Sequence, residues 1–153
     1  MNMVNPAARG RHAALLSLLL LAFLFRVIAQ LVQAWRPIVW LPPFDAWHSG
    51  ALPYPVLVIA QVLIVAVALW CIVGIASGSQ RANPRAGAIL RVLGWIYAVV
   101  MAARLVLGLT VLHAIRWFDA PLPSMFHLVL ASMVLALASF HLGRVEARPT
   151  PRG

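Results

Sequence analysis

The chain has 153 residues, of which 63% are hydrophobic and 10% are charged, and its formal net charge is +9. A soluble domain is about half apolar and about one-quarter charged, so this chain has too few polar side chains to cover a surface that faces water. The composition excludes a soluble globular domain and a disordered tail, and its single cysteine excludes a disulfide-stapled scaffold. We therefore interpret residues 1–153 as a single transmembrane domain.

Four segments are long and apolar enough to cross a bilayer as helices. A hydrocarbon core of about 30 Å needs about 20 residues, because a helix rises about 1.5 Å per residue. The four segments cover residues 13–34, 54–77, 88–112 and 124–142. Stretches with several prolines separate the first span from the second and the third from the fourth, and the turn-rich stretch 78–84 separates the second from the third. Ser124 is a suitable N-cap for the last span. The pattern predicts an all-α fold, an integral membrane four-helix bundle.

The arginines predict the orientation of this bundle. Eight of them flank the helix ends on the side of both termini, whereas Arg36 and Arg116 flank the opposite ends. The positive-inside rule places both termini in the cytoplasm, an N-in/C-in topology. Abundant alanine, and arginine without lysine, indicate a bacterial inner membrane protein. The arginines are dispersed rather than clustered with stacking aromatic residues, which favours contact with membrane lipids and argues against nucleic acid.

Five candidate polar residues lie within the predicted spans, all in the outer half of the membrane. An ionisable residue there costs at least about 2.5 kcal/mol, so each one is a functional candidate. Arg26, Gln30 and Gln33 share one face of the first helix, Gln61 lies in the second helix, and Arg104 lies deep in the third.

Three interpretations of the intramembrane arginines stay open, of which the third is that their side chains extend toward the membrane interface, least plausibly for Arg26. The arginines pair with the loop residues Asp45 and Asp119, or they line a pocket for an anionic or carbonyl-bearing lipid-like ligand. A phospholipid headgroup, a polyprenyl phosphate or a quinone has this chemistry. In the second interpretation the pocket residues are Arg26, Gln30, Gln33, Gln61 and Arg104, closed by Asp45 and His48.

The connector between the first two spans is rich in tryptophan, proline and phenylalanine. Trp35, Trp40, Phe44 and Trp47 predict that it folds back over the outer end of the bundle. Asp45 and His48 lie close together in this connector, but no suitable nucleophile accompanies them, so an enzymatic function is disfavoured.

Three histidines provide a different hypothesis. His48, His113 and His127 are expected on the outer side, where they could bind zinc, copper or a single haem b. Their spacing matches no known metal-binding motif, and we predict no cofactor. In the second helix, Gly74 and Gly78 have the spacing of a close helix–helix contact, although Gly78 could equally be a helix stop.

The sequence therefore favours a non-enzymatic membrane protein that binds a lipid-like ligand or a membrane-protein partner through a polar pocket in its outer half. The partners expected are membrane lipids, another membrane protein or a second copy of the chain. Two alternatives remain: a haem- or metal-binding redox module that uses the outer histidines, and a structural accessory subunit of a larger membrane complex.

Overall fold

Four long helices and one short helix form the structure. The computed structural model describes residues 6–47, 53–112 and 121–143. The helices are α1 (Pro6–Trp35), α2 (Phe44–Trp47), α3 (Tyr54–Ser77), α4 (Pro84–Thr110) and α5 (Pro121–Leu142). All except α2 are long and apolar enough to cross a membrane. The all-α prediction, with four apolar helices, is therefore confirmed for the described residues, and it indicates a multi-pass membrane protein.

Local sequence explains where several helices begin and end. The side chain of Asn83 caps α4 by accepting hydrogen bonds from the backbone N–H groups of Arg85 (3.0 Å) and Ala86 (3.3 Å). Gly78 ends α3 in the left-handed conformation with φ 77°. The predicted N-cap at Ser124 is wrong, because α5 already begins at Pro121 and Ser124 is buried inside it.

The long helices pack in the order α3–α1–α5–α4. Helix α1 contacts both α3 and α5, α4 packs on α5, and the backbones of α3 and α4 do not approach each other. Leu20, Phe23, Ile75 and Phe140 belong to the apolar core between α1, α3 and α5. The bundle is therefore open along the side between α3 and α4.

Glycines bring α4 close to α5. A Cβ atom at Gly87 would lie 2.9 Å from Cβ of His141, and one at Gly94 would lie 2.8 Å from Cδ2 of Leu135. Gly108, two intervals of seven residues after Gly94, is buried as well. We call Gly87, Gly94 and Gly108 the glycine seam. On α5 the buried residues Ser124, Ala131 and Ala138 lie seven residues apart, which is the spacing of Gly87 and Gly94.

The predicted close contact through Gly74 and Gly78 is not a contact between helix backbones. A Cβ atom at Gly74 would meet the side chain of Gln80, and one at Gly78 would meet the guanidinium of Arg9. Because Gly78 adopts a positive φ at the end of α3, it is the helix stop that the sequence left as the alternative.

The two ends of the bundle differ in the helices and polar residues that lie there. At one end α1 and α4 finish, α3 and α5 begin, and α2 packs against α1 and α5. We call this the α2 end, and the opposite end the terminal end. Most of the polar residues predicted for the pocket lie toward the α2 end.

Candidate ligand-binding site

Arg26 is a buried cation in α1. Its side chain is 6% exposed, and its Nη2 donates a hydrogen bond to the carbonyl oxygen of Trp47 at 3.1 Å. The guanidinium carbon lies 5.9 Å from the ring centroid of Phe126, a cation–π contact. Nε has no hydrogen-bond partner among the described residues. An unsatisfied charged donor is costly in an apolar interior, so this position is suited to an additional acceptor.

Helix α2 covers Arg26 because Trp47 is anchored on the bundle. The indole Nε1 of Trp47 donates to the carbonyl oxygen of Pro42 at 2.9 Å, and its ring stacks on Phe126 at 6.1 Å between centroids. The connector therefore folds back over the bundle as far as Trp47. Trp35 and Trp40 do not take part, because they are 97% and 94% exposed.

Gln33 holds the connector in this folded-back position. Its Nε2 donates to the carbonyl oxygens of Ile38 (3.1 Å), Leu41 (2.9 Å) and Pro42 (2.7 Å). Its Oε1 accepts a hydrogen bond from the backbone N–H of Ile38 at 2.7 Å. Both polar atoms of Gln33 are thus occupied by backbone groups, so it positions α2 rather than facing a ligand.

Gln30 and Gln61 connect α1 to α3. Nε2 of Gln61 donates to Oε1 of Gln30 at 3.1 Å, and both side chains are buried. Nε2 of Gln30 has no hydrogen-bond partner within the described part of the chain. Gln30 and Arg26 are four residues apart on one face of α1, so two buried donors lie near each other.

Three further polar side chains join Arg26. The hydroxyl of Tyr97 in α4 is hydrogen-bonded to Nδ1 of His127 in α5. The guanidinium of Arg26 lies within electrostatic range of both Tyr97 and His127. The guanidinium of Arg104, which is also buried, lies within electrostatic range of His127. We call Arg26, Tyr97, Arg104 and His127 the arginine cluster. The structure therefore brings the two predicted arginines to one region, contributed by α1, α4 and α5.

Sequence reasoning missed Tyr97 and Phe126. Tyr97 lies in an apolar stretch of α4, where a phenol is easily taken for a packing residue. Tyr97 and Arg104 are seven residues apart and so share a helical face, which was an available signal. The contact of Phe126 with Arg26 can be inferred only once α1 and α5 are known to pack together.

The acidic residues do not neutralise Arg26 within the described structure. Asp45 is exposed on α2, and Arg26 donates to the backbone of Trp47 instead of forming an ion pair with Asp45. Asp119 and His48, the other residues predicted to approach the site from connectors, lie outside the described residues.

Of the three histidines in the metal or haem hypothesis, His127 alone lies within the described residues. His48 and His113 lie outside the described residues, and His127 is hydrogen-bonded to Tyr97. Residues 6–47, 53–112 and 121–143 contain no group of three His, Cys, Asp or Glu side chains that could hold a metal ion.

A cavity of about 420 Å³ adjoins Tyr97 on the open side of the bundle. Leu63 and Val67 of α3 line it and are 60% and 59% exposed, so it opens toward the surroundings of the bundle. We call this cavity the apolar groove. Its remaining lining residues come from all four long helices: Leu16, Ile64, Ala68, Cys71, Tyr97, Leu130, Met133, Val134 and Leu137.

The arrangement as a whole can bind an anion next to an apolar surface. Two buried guanidinium groups, a phenol and an imidazole are collected where α1, α4 and α5 meet, and the apolar groove begins at Tyr97. No protein-family model, curated protein or solved structure matches the chain.

Proposed function

We propose that this chain is a non-enzymatic, multi-pass protein of a bacterial inner membrane that binds the head of an anionic lipid at the arginine cluster. Both termini lie in the cytoplasm, so the α2 end lies in the outer half of the membrane. The bound head accepts hydrogen bonds from Arg26 and is attracted by the charge of Arg104.

The burial of Arg26 is the observation that carries this proposal. Its described partners are the carbonyl of Trp47 and the face of Phe126, neither of which is an anion. Asp45, the one acidic residue in the described ranges, is exposed. A buried cation without a counter-ion is strongly destabilising, so an anionic ligand that neutralises it gains affinity.

The donor atoms favour an anionic oxygen over a neutral carbonyl. Nε of Arg26 and Nε2 of Gln30 are buried donors without described partners, and a guanidinium binds phosphate or carboxylate more strongly than it binds a neutral acceptor. A phospholipid or polyprenyl phosphate head supplies both the charge and several acceptor oxygens. A quinone supplies acceptors without the charge.

The arginines outside the cluster support the proposed orientation. Eight of the twelve flank the terminal end or lie in the tails, where they would contact the anionic lipids of the cytoplasmic leaflet. Arg36 is exposed at the α2 end, beyond the last turn of α1.

Native mass spectrometry of the protein in mild detergent tests the proposal. The probes are phosphatidylglycerol and phosphatidylcholine with identical chains. We expect the protein to retain phosphatidylglycerol preferentially, and Arg26→Met or Arg104→Ala to lower this retention by about tenfold or more. A hydrogen bond to a charged group contributes about 1.5–3 kcal/mol, which corresponds to at least a tenfold change in affinity.

Arg36→Ala is the matched control, because it removes an exposed arginine from the same end of the bundle and is expected to leave retention unchanged. Equal retention of phosphatidylglycerol by the protein and by both cluster variants would refute the proposal. A Soret band or a stoichiometric metal in the purified protein would favour the redox alternative instead.

A further inference from the structure

The geometry points to the apolar groove as the site of the hydrocarbon chain of the same anionic lipid, with its head at the arginine cluster. This inference rests on the proposed function and specifies its ligand: an amphiphile with a long chain, rather than a soluble anion. Tyr97 is the residue common to both parts of the site.

Tyr97 connects the two parts because it has an apolar ring and a polar hydroxyl. It lines the apolar groove, whereas its hydroxyl is hydrogen-bonded to His127 and lies in the field of Arg26. A ligand that contacts both sides of Tyr97 must therefore change from polar to apolar at this point. A lipid has this sequence of groups at the junction of its head and its chain.

The size and lining of the groove are suited to part of one chain. Its volume of about 420 Å³ lies within the range of small-molecule sites, about 300–1,000 Å³. Along α5 the lining runs from Leu130 to Leu137, and along α3 from Leu63 to Cys71. These are about two turns of helix each, or roughly 10–12 Å.

The direction of the groove matches a lipid of the leaflet at the α2 end. On α1, Leu16 lines the groove, and Arg26 lies ten residues nearer the α2 end, which is about 15 Å along the helix. A chain that enters the groove from the arginine cluster therefore extends toward the middle of the bilayer, as the chains of that leaflet do.

The open side of the bundle gives the chain a lateral path into the groove. The backbones of α3 and α4 do not approach each other, and the exposed side chains of Leu63 and Val67 lie at the mouth. A lipid can enter from the leaflet sideways without a helix having to separate from its neighbour.

Two matched tryptophan variants on α3 test the position of the chain. Val67 lines the groove, whereas Val62 does not, and both are similarly exposed at 59% and 61%. We expect Val67→Trp to weaken binding of dioleoyl phosphatidylglycerol by about tenfold and Val62→Trp to leave it unchanged. Binding of dihexanoyl phosphatidylglycerol, whose chains are too short to fill the groove, should be insensitive to both variants.

Photocrosslinking of the unmodified protein provides a second measurement that needs no groove variant. The probe is phosphatidylglycerol with a diazirine in one acyl chain, and the crosslinked residues are identified by mass spectrometry. We expect crosslinks to residues 130–137 that fall about tenfold in Arg26→Met or with the phosphatidylcholine analogue. Crosslinks to the exposed residues Val92 and Val99 should be equal in all samples.

The outcomes separate this inference from the proposed function. The chain site alone is overturned if lipid retention depends on Arg26 but Val67→Trp leaves binding unchanged and the crosslinks to residues 130–137 do not depend on the charge of the head. Retention that does not depend on Arg26 overturns the proposed function and this inference with it. Inorganic phosphate that binds as tightly as the lipid would show that a free anion suffices, and would also overturn the inference.

Discussion

Two stripes of α4 lie side by side and have opposite compositions. Gly87, Gly94 and Gly108 form the glycine seam, and Tyr97 and Arg104 follow it three residues after Gly94 and four residues before Gly108. Positions three or four residues apart are neighbours on a helix surface, so both stripes face the same side of α4. The glycine seam has no side chains, whereas the other stripe has two large polar side chains, those of Tyr97 and Arg104.

The position of Tyr97 and Arg104 depends on the glycine seam. Without side chains in the seam, α4 approaches α5 closely, as the short distances from Gly87 and Gly94 to α5 indicate. This approach brings the hydroxyl of Tyr97 to His127 and leaves Arg104 buried. The glycine seam allows the two helices to pack closely. This close packing keeps the charge of Arg104, in the adjoining stripe, away from lipid.

Gly87→Val is expected to have the largest effect on stability. A Cβ atom at this position would meet Cβ of His141 and Cγ of Leu142, both at 2.9 Å, and Cβ of His141 cannot move without its helix. Overpacking of this kind costs up to about 3 kcal/mol. Unfolding in mixed micelles with increasing dodecyl sulfate, followed by circular dichroism, should show this loss.

Gly10→Ala is the control for the seam, because nothing lies within 4 Å of a Cβ atom built there. Alanine favours helix over glycine by about 1 kcal/mol, so this variant should be as stable as the wild type or slightly more stable. A similar loss in both glycine variants would mean that the seam has no special packing role.

Gln33→Ala is expected to have an intermediate effect, confined to the connector. It removes the hydrogen bonds that the Gln33 amide makes to backbone groups of Ile38, Leu41 and Pro42, where two N–H donors are shared among three carbonyl oxygens. Because water at the membrane surface can replace some of them, we expect a loss of about 1.5 kcal/mol. Hydrogen exchange should show faster exchange at the amide of Ile38, while amides in the middle of α5 keep their protection.

The number of membrane helices could be predicted from the sequence, because apolar runs of this length leave few alternatives. The burial of Arg26, Gln30, Gln61 and Arg104 also follows from the cost of polar groups in lipid. The packing order could not be predicted. Helices α3 and α4 are apolar on nearly every face, so no stripe indicates which neighbour each one contacts.

The contacts of the predicted polar residues were less predictable than their burial. Gln30 and Gln33 both face inward from α1, yet one hydrogen-bonds to α3 and the other holds the connector. Helical periodicity gives only the direction of a side chain, and the difference depends on where α2 folds. The spacing of seven residues between Gly87 and Gly94 was visible in the sequence, but the contact of these two glycines with α5 required the fold.

The hydrogen bond between Gln30 and Gln61 is expected to have a small coupling energy. Interhelical hydrogen bonds in membrane proteins contribute about 0.6 kcal/mol on average, because the unfolded state in the membrane also finds partners. A double-mutant cycle with Gln30→Leu and Gln61→Leu should give a coupling of this size. Zero coupling would indicate that other groups replace the bond, and α1 and α3 would then be held by apolar contacts such as those of Ile75.

Arg26→Met is expected not to destabilise the fold, although it weakens the proposed binding. Removing a buried cation that has no counter-ion also removes the cost of keeping that charge out of water, so we expect the free energy of unfolding to stay the same or to rise. Breaking a buried ion pair instead costs about 3–5 kcal/mol, because it leaves the partner charge uncompensated. A loss of that size in the same micelle titration would mean that Arg26 has a carboxylate partner, as in the loop-pairing interpretation of the sequence. Unchanged or higher stability combined with loss of bound phosphatidylglycerol would instead show that Arg26 stabilises a ligand rather than the fold, in contrast to the glycine seam beside the cluster.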